Sequence, residues 1–163
     1  MSRLDSAIRR LQAQRACLEV ASELVRNVPG PIVELGLGNG RSFDHLRELM
    51  PEREIFAFDR QLAAHPACVP DQQHLVLGDF ADTLPSALER VGAPAALLHA
   101  DTGTGEAERN LRLAAWLGPR IMALMAPNGV ILSDQELVGI AAKPLALPDG
   151  VRPGRYFFYR VAG

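Results

Sequence analysis

The chain has 163 residues, of which 48% are hydrophobic and 22% are charged, and its formal net charge at pH 7 is −2. This composition predicts one globular domain with its own core, and the slightly negative charge argues against a nucleic-acid partner. The two cysteines, Cys17 and Cys68, form no CxxC motif, and no apolar run approaches the roughly 18 residues that a membrane span needs. Residues 1–15 are polar and lack the apolar core of a signal peptide, so we expect a cytoplasmic protein.

The first predicted element is an amphipathic helix over residues 4–27, in which apolar side chains recur at roughly helical spacing. Its other faces carry four arginines, namely Arg3, Arg9, Arg10 and Arg15. A basic helix can contact phosphates or a membrane surface. We favour a packed helix with a solvated arginine face.

A glycine-rich turn follows, between a short buried strand, residues 32–35, and a helix, residues 42–50. Three alternate glycines, Gly36, Gly38 and Gly40, let the backbone turn sharply and approach a ligand closely. In open α/β sheets such a turn lies at the carboxyl ends of the strands, where ligands bind. We therefore take this turn as the centre of the predicted site.

Two residues around the turn bear on the ligand. A dinucleotide fingerprint needs a small residue at position 41, where this chain has Arg41. The carboxylate of Glu34 would repel a pyrophosphate but suits a cationic ligand, such as the sulfonium and ammonium groups of S-adenosylmethionine. An NAD(P) site, or a glycine turn that only packs, remains the alternative.

The pattern Glu34-x-Gly36-x-Gly38-x-Gly40 resembles motif I of the class I S-adenosylmethionine-dependent methyltransferases. The resemblance implies that Glu34 and the turn hold the methionine part of the cofactor. The residues of the turn that it assigns to cofactor binding are Gly36, Leu37, Gly38, Asn39, Gly40 and Ser42.

Acidic residues follow the next two predicted strands. Asp59 ends the strand at residues 55–58 and follows the last glycine by about 20 residues, the spacing of a ribose-binding acid. We assign Asp59 and the adjacent Arg60 to the cofactor, with a cap on the next segment as the alternative for Asp59. After a third strand at residues 74–77, the run Gly78-Asp79-Phe80 resembles the adenine contact of the same family; the alternative is an N-cap for a helix that extends to residue 90.

The fourth strand, residues 95–100, is apolar throughout and stops at Asp101, which makes this carboxylate a candidate at the edge of an active site. We expect Asp101 to contact the cofactor and to orient or deprotonate the acceptor, the alternative being a cap on the next helix. His99 is expected in the core.

The rest of the chain is predicted as a helix over residues 106–125, a strand over residues 130–132, a short helix over residues 136–142, an irregular segment and a terminal antiparallel strand. We place the irregular segment at residues 143–153 and the terminal strand at residues 156–161, at or near the sheet edge. Asp134, which follows the fifth strand, is the second catalytic candidate.

Over residues 30–135 the order of strands, helices and acids resembles the class I methyltransferase fold. We therefore expect an α/β protein with a Rossmann-like, doubly wound, mostly parallel sheet in three α/β/α layers, with an antiparallel C-terminal strand. The segment around Asp134 also resembles the metal-dependent catechol-type O-methyltransferases, which would pair Asp101, Asp134 and Gln135 around Mg²⁺. Gln135 replaces that family's asparagine and Thr104 its lysine, so we assign no metal ligands.

The sequence thus predicts a single methyltransferase domain over residues 1–163, with residues 1–29 as an N-terminal helix and residues 30–163 as the core. It would transfer a methyl group from S-adenosylmethionine to a small-molecule acceptor, without membrane contact (EC 2.1.1.-). The alternatives are an NAD(P)-dependent oxidoreductase and a non-catalytic protein of the same fold that binds the cofactor or a partner. A homodimer through the N-terminal helix or the terminal strand is left open.

Overall fold

A computed structural model describes residues 2–163. Within this range the helices are α1 (Arg3–Leu24), α2 (Arg41–Leu49), α3 (Phe80–Thr83), α4 (Ala87–Val91) and α5 (Ala107–Met122), with short 3-10 helices at Pro66–Cys68 and Leu84–Ser86. The strands are β1 (Ile32–Leu35), β2 (Ile55–Asp59), β3 (Leu75–Leu77), β4 (Ala95–Ala100), β5 (Met125–Ser133), β6 (Ala142–Pro144) and β7 (Phe157–Val161).

The seven strands form one sheet in the order β3-β2-β1-β4-β5-β7-β6. The first five in this order are parallel, whereas β7 is antiparallel to both β5 and β6. This topology confirms the predicted Rossmann-like sheet and its antiparallel C-terminal strand. It also puts the carboxyl ends of β1, β2, β3, β4 and β5 along one edge of the sheet, where the site lies.

Apolar side chains alternate between the two faces of the sheet, as expected for strands that are buried on both sides. Ile32 and Leu97 pack in one core with α1 and α2, while Val33 and Leu98 pack in a second core with α4 and α5. The predicted three-layer α/β/α arrangement is therefore confirmed. It places α1 and α5 on opposite faces of the sheet.

Several element boundaries differ from the sequence-based expectation. α1 ends at Leu24 rather than residue 27, and the helix expected after Asp79 is broken into pieces around Pro85. β5 begins at Met125 rather than residue 130, and residues 127–129 form a bulge within the strand, where Asn128 adopts a φ of 61°.

The helix expected at residues 136–142 is absent from the described chain, and that prediction is wrong. The backbone N–H of Leu137 donates to the Tyr159 hydroxyl at 3.1 Å instead of to a helical carbonyl. A strand that was not predicted, β6, then pairs with β7 and forms the sheet edge. Both edges of β7 are consequently occupied, by β5 and β6, so the terminal strand lies next to the sheet edge rather than at it.

Candidate functional site

Two adjoining cavities open at the carboxyl edge of the sheet. We call them the α1-side cavity, of about 500 Å³ and lined in part by Arg10 and Gln14, and the α5-side cavity, of about 750 Å³ and lined in part by Trp116. The residues that line both are Gly36, Gly38, Asp101, Gly103 and Thr104. The glycine turn and the end of β4 therefore form the junction between the two spaces.

The glycine turn has the shape of a ligand cradle. Gly36 has a φ of +89°, and a Cβ atom there would lie 2.4 Å from the carbonyl oxygen of Asp101, so only glycine fits between β1 and β4. Gly38 has a φ of +51°, and a Cβ there would meet nothing within 4 Å, because this residue faces the cavities. The turn leaves room for a ligand to approach its backbone, as the sequence predicted.

The remaining residues of the predicted turn divide between cavity wall and support. Leu37, Asn39 and Ser42 line the α1-side cavity. Gly40 is buried and lies against Cys68, so it shapes the turn without lining either cavity.

Glu34 lies beneath the turn, with no exposed surface, and lines neither cavity. Its carboxylate accepts hydrogen bonds from the Ser42 hydroxyl and from Nδ1 of His99, the latter at 3.2 Å. His99 is its direct neighbour in the register of β1 and β4. In this structure the Glu34 carboxylate supports the wall of the α1-side cavity through Ser42, which lines that cavity.

His99 is buried in the core, as expected, and forms an ion pair with Glu34 when it is protonated. Burial lowers the pKa of His99, but Glu34, together with Asp101 and Asp134, raises it above the ordinary value. Its ring stacks near Tyr156, with centroids 6.1 Å apart. Nε2 of His99 has no hydrogen-bond partner among the described residues.

The α5-side cavity contains the acids that follow β2 and β3. Asp59 accepts hydrogen bonds from the N–H of Gly38 at 2.9 Å and from the N–H of Gln61 at 3.2 Å, so it holds the glycine turn as well as lining the cavity. Arg60 also lines the cavity and lies 3.6 Å from Asp79.

The alternative role of Asp79 as a helix cap is not supported. Asp79 is at the N-cap position of α3, but its side chain makes no capping hydrogen bond. It lines the α5-side cavity beside Gly78 and Phe80, with its carboxylate largely exposed. The three residues therefore lie where the sequence expected a ligand contact.

One wall of the α5-side cavity was not predicted. It comes from α5, whose contribution includes Arg109, Leu113 and Trp116, the single tryptophan of the chain. Asn110 of the same helix accepts from the N–H of Thr104 at 2.9 Å and so holds the loop after β4. The one sequence signal that could have indicated this wall is the single tryptophan of the chain within the predicted helix.

Asp101 lies at the junction of the two cavities. The residue at the N-cap of α5 is Glu106, so Asp101 is not the helix cap that was the alternative. Its Oδ2 accepts from the Gln14 amide at 2.8 Å and lies 3.5 Å from an Arg10 guanidinium nitrogen. Neither α1 residue was predicted at the site, because both lie far from Asp101 in the sequence.

Asp134 lines the α1-side cavity together with Gln135. Both of its carboxylate oxygens accept backbone N–H groups, one from Thr102 at 3.1 Å and one from Gly103 at 2.8 Å. Burial and the neighbouring Asp101 raise the pKa of Asp134. Asp134 therefore anchors the loop after β4, and Asp101 is the carboxylate more available to a ligand.

The structure brings Asp101, Asp134 and Gln135 to one cavity, as the catechol-type resemblance would require. The Gln135 amide nitrogen, however, lies 3.1 Å from an Asp134 oxygen that also accepts from Gly103. Among residues 2–163, no group of three or more His, Cys, Asp and Glu side chains is arranged to hold a metal ion.

Comparison with known proteins identifies the family. The sequence matches the family described as S-adenosyl-L-methionine methyltransferase over residues 1–161. It is 44% identical to a crystallised S-adenosyl-L-methionine methyl transferase from Silicibacter pomeroyi DSS-3, with a TM-score of 0.92 and 98% of each chain covered. None of the curated proteins matches this chain significantly.

More distant structures share the fold alone. Cofactor-bound Rv0187 from MTB is 21% identical, with a TM-score of 0.50 over 76% of this chain and 55% of that chain. The plantazolicin methyltransferase BpumL in complex with SAH is 12% identical, with a TM-score of 0.54 over 79% of this chain and 49% of that chain. No helix within the described range is long and apolar enough to cross a membrane.

The family match over residues 1–161 and the 44% identical structural relative show that this chain belongs to the S-adenosyl-L-methionine methyltransferase family. It is an S-adenosylmethionine-dependent enzyme of class EC 2.1.1.-.

Proposed function

We propose that the enzyme methylates a small-molecule acceptor in the α1-side cavity, with the adenosine of S-adenosylmethionine in the α5-side cavity. The observation that carries this proposal is that the two cavities meet at Gly36 and Asp101. A cofactor that extends from one cavity into the other would bring its reactive centre to this junction. The acceptor would then approach from the α1 side, next to Asp101.

The α5-side cavity suits adenosine. Asp59 lies at the carboxyl end of β2, where an acid in nucleotide-binding βαβ units accepts hydrogen bonds from ribose hydroxyls. Asp79 offers an exposed carboxylate for the adenine amine, and Phe80 offers an apolar surface for its ring. Gly78 and Arg60 complete this end of the proposed cofactor site.

The methionine part would lie along the glycine turn. Leu37, Asn39 and Ser42 would form its wall, with the open space in front of Gly38 as the cradle. Gly40 and the buried Glu34 would fix the shape of that wall, Glu34 through its hydrogen bond with Ser42. We assign Glu34 a positioning role for this reason.

When bound, S-adenosylmethionine supplies an electrophilic methyl group, so the protein has mainly to align an acceptor with it. Positioning of this kind can account for about 7–11 kcal/mol of the barrier. We propose that Asp101 orients the nucleophilic atom of the acceptor and takes the proton that this atom loses. Gln14 and Arg10 hold one oxygen of Asp101, and the other oxygen has no partner among the described residues.

The size of the α1-side cavity supports a small molecule as the acceptor. Its volume of about 500 Å³ lies within the range of ordinary ligand pockets. Its walls come from α1, from the loop after β4 and from the segment before β7, which includes Gly154 and Arg155. We treat the whole chain, residues 1–163, as the one domain that forms this site.

Incubation with S-adenosylmethionine labelled in its methyl group tests the proposal. The label should appear in compounds of low molecular mass when the enzyme is given a panel of hydroxy, amino and thiol compounds or a cell extract. General-base catalysis typically contributes about 10²–10⁴-fold, so Asp101→Asn should lose most of the turnover even at saturating S-adenosylmethionine. Glu106→Gln, at an exposed residue outside both cavities, is the control.

Two results would contradict the proposal. One is label found only in protein or nucleic acid, which would mean that the acceptor is a macromolecule. The other is full turnover by Asp101→Asn, which would exclude Asp101 as the base.

A further inference from the structure

Three arginines from separate parts of the chain line the α1-side cavity. Arg10 lies on α1, Arg41 is the first residue of α2, and Arg155 lies in the segment just before β7. The cavity also contains two carboxylates, those of Asp101 and Asp134. Guanidinium groups suit oxyanions, because their N–H donors match carboxylate and phosphate oxygens in pairs.

These arginines are not neutralised by the protein. Within residues 2–163, the guanidinium groups of Arg41 and Arg155 make no hydrogen bond or ion pair, and that of Arg10 reaches only one oxygen of Asp101, at 3.5 Å. Asp134 is engaged by two backbone N–H groups, and with Asp101 it gives the cavity two carboxylates against three guanidinium groups. The α1-side cavity therefore has more positive charge than its own carboxylates balance.

The cofactor itself accounts for only one of these cations. S-adenosylmethionine has a single carboxylate, and Arg41 directly follows the glycine turn along which the methionine part would lie. Its sulfonium and ammonium groups are positive and would face Asp101 at the junction. Arg155 remains without an anion once the cofactor is bound, and Arg10 has only its 3.5 Å contact with one oxygen of Asp101.

We propose that the methyl acceptor carries an oxyanion, a carboxylate or a phosphate group, and that Arg10 and Arg155 bind it. This inference rests on the proposed function, because it assigns the α1-side cavity to the acceptor. Arg10 also touches Asp101, so an anion bound there lies close to the proposed base. The acceptor thus has its oxyanion within a few bonds of the atom that is methylated.

Binding of simple probes to the protein saturated with S-adenosylhomocysteine tests this proposal by calorimetry. The probes are benzoate, phenyl phosphate and the neutral benzamide, which differ in charge but share one ring. At least one of the two anions should bind about tenfold more tightly than benzamide, since a charge-assisted bidentate hydrogen bond is among the stronger polar contacts. Comparison of the two anions separates a carboxylate acceptor from a phosphate acceptor.

Variants of the arginines show which side chains cause the preference for the anionic probes. Arg155→Gln and Arg10→Gln should each lose most of the preference for the anion, and Arg155→Gln should keep its affinity for S-adenosylhomocysteine. Arg152→Gln is the matched control, because Arg152 is an exposed arginine in the same segment and lines neither cavity. Arg41→Gln should instead weaken S-adenosylhomocysteine binding.

The inference is overturned if both anions bind no better than benzamide to the saturated protein, or if Arg155→Gln and Arg10→Gln keep the full preference. Failure of the proposed function gives a different result: labelled methyl found only in macromolecules would remove the small-molecule acceptor altogether. Normal turnover of a neutral small molecule would contradict the proposal that the acceptor carries an oxyanion, and it would leave the methyltransferase assignment intact.

Discussion

Replacement of Glu34 tests whether this carboxylate supports the cavity wall or contacts the cofactor. Glu34 is completely buried and accepts hydrogen bonds from Ser42 and His99. Hydrogen bonds to a charged group contribute about 1.5–3 kcal/mol each. Removal of one partner from a buried charged pair costs about 3–5 kcal/mol, so we expect Glu34→Ala to lose that much free energy of unfolding.

Glu34→Gln separates the two roles more cleanly, because it keeps the shape of the side chain and removes the charge. We expect it to lose about half as much stability, since an amide oxygen still accepts from Ser42 but no longer pairs with protonated His99. With a urea m-value of about 2 kcal/mol/M, the unfolding midpoint should fall by roughly 1.5–2.5 M for Glu34→Ala and by about 1 M for Glu34→Gln.

The measurement is urea unfolding followed by circular dichroism, with Glu52→Gln as the control. Glu52 is exposed, and substitutions at such positions usually change stability by less than about 0.5 kcal/mol. Affinity for S-adenosylhomocysteine is measured in parallel. A wild-type midpoint for Glu34→Gln combined with lost affinity would refute our reasoning and restore a direct contact between Glu34 and the cofactor.

Three further predictions concern the turn, the cofactor and pH. Asp59→Asn should weaken S-adenosylhomocysteine binding by about 10–100-fold, through the loss of a charged hydrogen bond. Trp116 lines the same cavity, so its fluorescence can follow the titration. Unchanged affinity would exclude Asp59 as a residue that binds the cofactor. Gly36→Ala should lower the unfolding free energy by about 2 kcal/mol or more, because its Cβ would lie 2.4 Å from the Asp101 carbonyl oxygen at a φ of +89°; a wild-type midpoint in urea would contradict this. Burial lowers the pKa of His99, but the neighbouring carboxylates raise this pKa above the unfolded value of about 6.5. The ion pair of His99 therefore contributes fully to stability below pH 6.5, and this contribution is lost as the pH rises through the pKa of the folded state. The urea midpoint of wild type should therefore fall more steeply above pH 6.5 than that of His99→Gln, and parallel profiles would exclude this role.

The sequence predicted the carboxyl edge of the sheet well, because β2, β4 and β5 each carry an apolar run with an acid at or just after its end. Asp59, Asp101 and Asp134 follow β-strands whose carboxyl ends lie side by side, and this arrangement needs only strand order and direction. The glycine turn was equally readable, since Gly36 and Gly38 need backbone conformations that other residues rarely adopt.

What the sequence did not reveal are contacts between distant parts of the chain. The burial of Glu34 depends on the register that pairs it with His99, and this register cannot be read from either strand alone. Residues 136–142 have helical spacing, but a hydrogen bond from Leu137 to Tyr159 holds them in an irregular path. Arg10 and Gln14 reach the site only because α1 packs over the end of β4, which local periodicity does not reveal.

The crystal structure of the complex with S-adenosylhomocysteine is the most direct test of how the two cavities divide the reaction. We expect adenosine in the α5-side cavity, with ribose hydroxyls within about 3.2 Å of Asp59, and the sulfur atom at the junction beside Gly36 and Asp101. The part of the α1-side cavity beside Arg10 and Arg155, beyond the homocysteine group, should remain open for the acceptor. Adenosine bound in the α1-side cavity, among Arg10 and Arg155, would contradict the account.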